Sequence, residues 1–197
     1  MGSLGIMSIT LEQEQLVIGT LLGDGYLYSN GRLQIEHQEK FKSYVVWKHK
    51  MLQSVISGIP KRCVRFDKRT NKEYVSWRFY SKTVFQNYRN CFYPDGKKVV
   101  PENIVQLLVS PLALAVWFMD DGGRGAKTRK GLVISATGFS LTERILLKEC
   151  LEKNFQLSVN IHKNGQFYIP ALFYERFYML VTPYIIPSMR YKIPITP

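Results

Sequence analysis

Two stretches of the chain end alike. VIGTLLGDG (17–25) and LAVWFMDDG (114–122) are each an apolar, helix-like run closed by Asp-Gly, and Asp24 and Asp121 stand 97 residues apart. Asp-Gly after a helix is by itself a common turn, because glycine closes helices readily. The carboxylates say more. An acidic side chain at a helix C-terminus faces the negative end of the dipole, at a cost of about 0.3–1 kcal/mol. Meeting that cost twice, at matching places, implies a bound cation that reverses the sign. Gly19 and Gly23, four apart in the first run, would let a partner helix approach closely enough to bring both carboxylates to one spot. The three histidines and three cysteines are scattered, so a metal must sit on oxygen ligands. Such a site suits Mg²⁺, and paired metals stabilise the attacking and leaving oxygens of phosphodiester hydrolysis.

These residues need elements to hold them. Thr10 to Gln13 fits a capping box, so a helix is expected from there to about Gly23. Residues 26–28 and 32–37 read as a hairpin, with Arg32, Gln34 and Glu36 polar and Leu33 and Ile35 between them. A three-residue loop with Gly31 left-handed, pairing Tyr28 with Arg32, keeps the polar positions on one face. Apolar positions 41, 44, 45, 52, 55 and 56, with Lys48 a weak member, predict a helix over 41–56. Residues 62–68 and 74–79 alternate again, and 81–93 reads as a helix. In the second half, 111–120 is a helix with Pro111 at a tolerated first-turn position. A glycine-rich basic stretch (122–131) leads to a strand at 132–137. Ser140 to Glu143 is a second capping box, opening a helix to about Phe155. Residues 158–162 and 166–169 flank Lys163, Asn164 and Gly165 as another three-residue hairpin, and 174–181 is a closing helix. The halves repeat one αββαββα plan, an internal duplication. The expected fold is α+β, one domain over 8–197 with pseudosymmetric halves 8–96 and 97–197, and residues 1–7 a tag remnant or disordered N-terminus.

Composition narrows the partner. The 197 residues carry 27 Lys plus Arg against 15 Asp plus Glu, a formal charge of +12, on a globular background of 46% hydrophobic residues. That balance favours a polyanion, and nucleic acid is the commonest. The apolar run 111–119 falls short of the roughly 18 residues a membrane span needs, and no secretory or transit pattern opens the chain. Three unpaired, widely spaced cysteines point to a reducing compartment, a prokaryotic cytoplasm or an organelle with its own genome.

The two motifs resemble those of the single-chain LAGLIDADG homing endonucleases. The likeness continues through KKVVPENI (97–104), SPLALAVWFMDDGG (110–123), KNFQL (153–157) and PYIIPSMRYKIP (183–194), from about residue 16 to residue 194. Val17 and Leu22 stand where the family pattern has Leu and Asp, but the Gly-Asp-Gly end is intact. The resemblance implies a saddle of two antiparallel sheets in the DNA major groove, with the motif helices as interface. It implies metal ligation by Asp24 and Asp121, helped by the backbone carbonyls of Gly23 and Asp120, with the Asp120 side chain structural. Lys98 and Lys192 match the family lysines beside the scissile phosphates. It further implies Mg²⁺ as cofactor, with Mn²⁺ substituting and Ca²⁺ binding without efficient cleavage. A monomer would hydrolyse one phosphodiester in each strand of a long asymmetric double-stranded DNA site, leaving short 3′ overhangs, for intron or intein homing.

Alternation assigns the reading faces. Tyr28, Arg32, Gln34, Glu36, Arg65, Asp67, Ser76 and Arg78 share one in the first half. Val133, Ser135, Thr137, Ser158, Asn160, His162, Gln166 and Tyr168 share the other. Arg and Gln can contact base edges bidentately and Glu can accept from cytosine; a merely solvated sheet face would have the same composition. Lys61, Arg69, Lys127, Arg129, Lys130 and Lys163 are placed on phosphates. The rival functions are an RNA maturase for a host intron, a DNA-binding regulator without cleavage, and a basic interaction module. The last leaves the duplicated helix-end Asp unexplained.

Overall fold

The computed structural model describes residues 9–125 and 131–193, so the reading of residues 1–7 falls outside it. The first half runs α1 (Leu11–Leu22), β1 (Tyr26–Leu27), β2 (Leu33–Gln38), α2 (Lys42–Met51), β3 (Ile56–Asp67), β4 (Lys72–Ser81) and α3 (Gln86–Phe92). The second runs α4 (Ile104–Leu107), α5 (Pro111–Asp121), β5 (Gly122–Arg124), β6 (Leu132–Ser135), α6 (Leu141–Phe155), β7 (Asn160–Ile161), β8 (Gln166–Ile169) and α7 (Tyr174–Val181). Both capping boxes form, Thr10 with Gln13 and Ser140 with Glu143. Ser110 caps α5 ahead of Pro111.

Each half carries a four-stranded antiparallel sheet, ordered β1-β2-β4-β3 and β5-β6-β8-β7. Both hairpin loops have three residues. Tyr28 N–H donates to Arg32 O and His162 N–H to Gln166 O, while Gly31 and Gly165 take positive φ of 74° and 84°. No side chain is comfortable there, which is why glycine closes both turns.

Several boundaries differ from expectation. The helix expected over 41–56 ends at Met51, and the buried Leu52 and Val55 reach the core from a 3₁₀ turn. Their apolar spacing is the same in either geometry, so periodicity could not separate them. The helix expected over 81–93 begins at Gln86, because Ser81 completes β4. Strands β3 and β4 are longer than their alternating stretches. Gly122, Gly123 and Arg124 form an edge strand on β6 rather than loop. Glycine has poor strand propensity, so the sequence hides a ladder that needs only backbone.

The halves meet along α1 and α5. Most residues of both helices are buried, and one hydrophobic cluster takes in Leu16, Ile18 and Leu21 from α1 with Leu114, Trp117 and Phe118 from α5. Gly19 permits the close approach: a Cβ there would lie 2.3 Å from Ala113 O and 2.8 Å from Val116 Cβ. Gln15, buried, locks the seam by accepting from the N–H groups of Val109 and Ser110 and donating to Leu107 O. Among the described residues no helix is long and apolar enough to cross a membrane.

Candidate active site

The seam delivers both motif carboxylates to the same end of the helix pair, beside the strands. Asp24 follows α1, its side chain half exposed at 52%, and Asp121 closes α5, partly buried. Asp24 and Asp120 both lie close enough to Asp121 to oppose its ionisation. Burial is the largest cause, and together they push its carboxyl up to about 7. Carboxylates that cannot comfortably all ionise make an oxygen-only donor set, and a divalent cation relieves the conflict. By that test the residues fit a hard cation such as Mg²⁺.

Asp24 sits differently. His37 lowers its pKa through the contact of Nδ1 with Asp24 Oδ2 at 3.4 Å, against the opposing effect of burial and with help from Lys48 and Lys192. His37 projects from the core face of β2 and is almost fully buried. Behind it Lys48 of α2, fully buried, donates to both carboxylate oxygens of Asp120 at 2.9 and 3.0 Å. The Tyr44 ring packs over this ammonium at 4.4 Å. Asp120 Oδ2 in turn accepts the backbone N–H of Asp24 at 3.2 Å. The Asp120 side chain thus has a structural role.

The two lysines occupy matching places. Lys98 Nζ donates to the carbonyls of Gly23 (2.8 Å) and Gly25 (2.6 Å) at the end of α1. Lys192 Nζ donates to the carbonyls of Met119 (2.5 Å) and Asp120 (3.0 Å) at the end of α5. Each puts a positive charge at a helix C-terminus, offsetting part of the dipole cost of the acidic residue there. Burial is the main cause that lowers both lysine pKa values. The carbonyls of Gly23 and Asp120, expected as metal ligands, each already accept a lysine and keep one lone pair for a cation. Gly23, Lys98 and Asp121 line a cleft of about 320 Å³ with residues 135–139.

The polar faces form as alternation predicts, with local revisions. Glu36 accepts from Ser76 (2.5 Å) and Arg65 (2.9 Å) and pairs with Arg78 at 3.6 Å. Burial alone would raise its pKa, but these partners overturn that and hold it low. Glu36 is therefore engaged within the sheet. Tyr28 donates to Gln34, and the Arg32 guanidinium stacks on Tyr80 at 4.2 Å. Lys61 stands beside Arg78 in the ladder, while Asp67 accepts the Arg69 N–H in the β3–β4 turn. In the second half Ser135 neighbours Thr137, Asn160 and Val133 pair with Tyr168, His162 stacks on Tyr168, and Gln166 contacts Asn164 beside the exposed Lys163. Ser158 lies just before the short β7, in phase with Asn160, and its hydroxyl donates to Glu152 of α6. Lys127, Arg129 and Lys130 lie outside the described residues.

His37 and Lys48 were missed as site residues. Each carried a signal, a polar residue on an otherwise apolar inward face: His37 follows Leu33 and Ile35 in β2, and Lys48 follows Tyr44 in α2.

Comparison with known proteins agrees with this architecture. The model of the LAGLIDADG DNA endonuclease family matches residues 14–177. A probable intron-encoded endonuclease 1 from Wickerhamomyces canadensis is 34% identical, covering 92% of this chain and 83% of that protein. The cytochrome b mRNA maturase bI2 of Debaryomyces hansenii is 30% identical, over 92% and 73%. The structure of the homing endonuclease I-WcaI bound to its DNA recognition sequence superposes with a TM-score of 0.86 at 30% identity, over 96% of this chain and 89% of that one. With a family model spanning most of its length and relatives this similar, the chain belongs to the LAGLIDADG DNA endonuclease family.

Proposed function

We propose that the protein is a site-specific endonuclease of double-stranded DNA serving intron homing. The observation that carries this reading is the paired helix-end site: Asp24 and Asp121 at the ends of two packed helices, each end capped by a lysine. Asp24 and Asp121 would hold divalent metal ions, Mg²⁺ or Mn²⁺ for cleavage and Ca²⁺ for binding without efficient cleavage. Such ions supply a nucleophilic water at neutral pH and stabilise charge on the scissile phosphate. Lys98 spends two of its three N–H donors on carbonyls and keeps one for a water or phosphate oxygen; Lys192 is arranged likewise. These donors orient the attacking water and meet the charge that develops on the phosphate.

The two sheets face DNA with different chemistry. One presents Arg32, Gln34, Arg65 and Arg78, the other Ser135, Asn160, His162 and Gln166. A target read by both is asymmetric. A monomer suffices, since one chain supplies both helices of the seam, and each strand is cut once to leave short 3′ overhangs. The test is cleavage of a randomised duplex library with Mg²⁺ and with EDTA. Recovery of one long asymmetric site in Mg²⁺ alone is expected, and its loss with Asp24→Asn or Asp121→Asn. Undiminished linearisation by either variant would overturn the two-carboxylate mechanism. The maturase relative supports a second activity, binding of host intron RNA, tested by gel shift against that transcript.

A further inference from the structure

The pseudo-two-fold that relates Asp24 to Asp121 does not extend to what lies behind them. Around Asp24 the contacts close a ring. Its backbone N–H reaches Asp120 Oδ2, and Asp120 binds Lys48 through both oxygens. Lys48 Nζ lies 3.5 Å from His37 Nε2, and His37 Nδ1 lies 3.4 Å from Asp24 Oδ2. Asp24 is gripped at backbone and side chain by one buried unit. Among the described residues the other side has no such ring. The residue matching Asp120 at the end of α1 is its C-cap, Gly23. The ladders equate Tyr26–Gln34 with Gly123–Val133, which puts the buried Ala136 where the first half has His37. The buried positions of α6, the counterpart of α2, are Leu147, Cys150, Leu151 and Phe155, with no cation among them.

Asp24, His37 and Asp120 lie within 4.8 Å of one another, a spacing that could suit a metal. The Lys48 ammonium already stands against two of the three, 2.9 Å from Asp120 Oδ1 and 3.5 Å from His37 Nε2. A fixed cation supplied by the chain makes the cluster a positioning device and leaves the half-exposed Asp24 carboxylate for a metal.

We propose that Asp120, Lys48 and His37 are positioning residues for Asp24 alone, so that the two halves of the site cut the two DNA strands at different rates. The inference rests on the endonuclease reading. Asp24 arrives preorganised, whereas Asp121 has no such ring and depends on the metal itself to relieve its neighbours' charge. Loosening a ligand by a fraction of an ångström is enough to separate the strand rates.

The test uses end-labelled duplex of the site recovered from the randomised library, with each strand's cleavage followed separately. The variants are His37→Gln and the double Lys48→Met/Asp120→Asn. The double removes both buried charges together and keeps an oxygen to accept the Asp24 N–H, so it avoids the uncompensated buried charge that Lys48→Met alone would leave. Both variants should slow the same strand by about 10-fold or more and accumulate nicked duplex; His37→Gln leaves the other strand unchanged, and the double does not slow it, since losing the Asp120 charge only eases ionisation of Asp121. A second readout needs no cleavage: calorimetric Ca²⁺ titration of the DNA complex should lose about 10-fold in affinity at one class of site only. Equal slowing of both strands, or uniform loss of Ca²⁺ affinity, makes the ring a plain structural element and overturns the inference. Failure of the wild-type protein to cut any duplex in Mg²⁺ would instead sink the endonuclease reading on which it stands.

Discussion

Gly23 and Asp120 occupy matching places at the ends of α1 and α5, and the missing side chain of one makes room for the carboxylate of the other. A Cβ on Gly23 would lie 2.5 Å from both Cβ and Oδ2 of Asp120. The seam can therefore seat one such carboxylate, and Lys48 neutralises it. Gly23→Ala should destabilise the metal-free protein by about 1–3 kcal/mol through overpacking. It should also displace Asp24, whose backbone is held by the same Asp120 oxygen. Urea unfolding in EDTA measures the first effect, and an unchanged midpoint would mean the helices separate easily at this end.

Lys48 and Asp120 form a buried ion pair with both side chains fully inaccessible. Removing one partner leaves an uncompensated buried charge, so Lys48→Met should cost about 3–5 kcal/mol. Adding Asp120→Asn should recover most of that loss, because neither charge then remains. The double-mutant cycle in denaturant is the measurement. Simple additivity of the two single effects would show that the pair contributes nothing as a pair.

The paired motif carboxylates were legible because they repeat, as Asp-Gly after an apolar run, whereas Lys98 and Lys192 could be singled out only through the resemblance to the family. The hairpins were legible because alternation admits only one loop length that keeps the polar face intact. His37 and Lys48 were not, since their partner Asp120 lies 72 or more residues away and only the packed seam brings them together. Lys48 even counted weakly toward the apolar face of its helix, which is where it lies. The edge strand β5 escaped for the opposite reason, being built from glycines that carry no side-chain pattern.

The helix dipole acts alike on Asp24 and Asp121, but their surroundings separate them. Burial and the nearby carboxylates raise Asp121 to about 7, so between the ordinary carboxyl value and pH 7 the folded chain holds a proton that the unfolded chain has lost. Stability of the metal-free protein therefore falls as pH rises through that window. Asp121→Asn should stabilise it by about 1–3 kcal/mol above pH 7, after allowance for solvent screening, with the gain vanishing as pH falls toward 4. Asp24 has the opposite sign. His37 holds its pKa down, so its contribution is present at neutral pH and lost as pH falls through the folded value, and Asp24→Asn should destabilise. Thermal melts of both variants in EDTA from acid to neutral pH distinguish them; parallel curves would refute the distinction. Metal affinity should also weaken below about pH 7, where the ion must displace a proton from Asp121.

Lys98 and Lys192 are two among 27 basic residues, and their placement separates them from ordinary phosphate contacts. Each is partly buried against carbonyls at a helix end that carries a motif carboxylate, whereas a backbone-gripping lysine would be exposed on a sheet rim. Losing a preorganised donor aimed at developing charge costs about 10²–10³ in rate. Losing one phosphate contact costs little affinity and lowers the salt slope of binding by about 1. Lys98→Ala and Lys192→Ala should therefore slow cleavage by about 10²-fold or more while target affinity in Ca²⁺ changes only slightly. Single-turnover cleavage and equilibrium binding on the same duplex give both numbers. Equal losses in rate and affinity would reduce the two lysines to phosphate contacts and leave the carboxylates as the whole of the catalytic site.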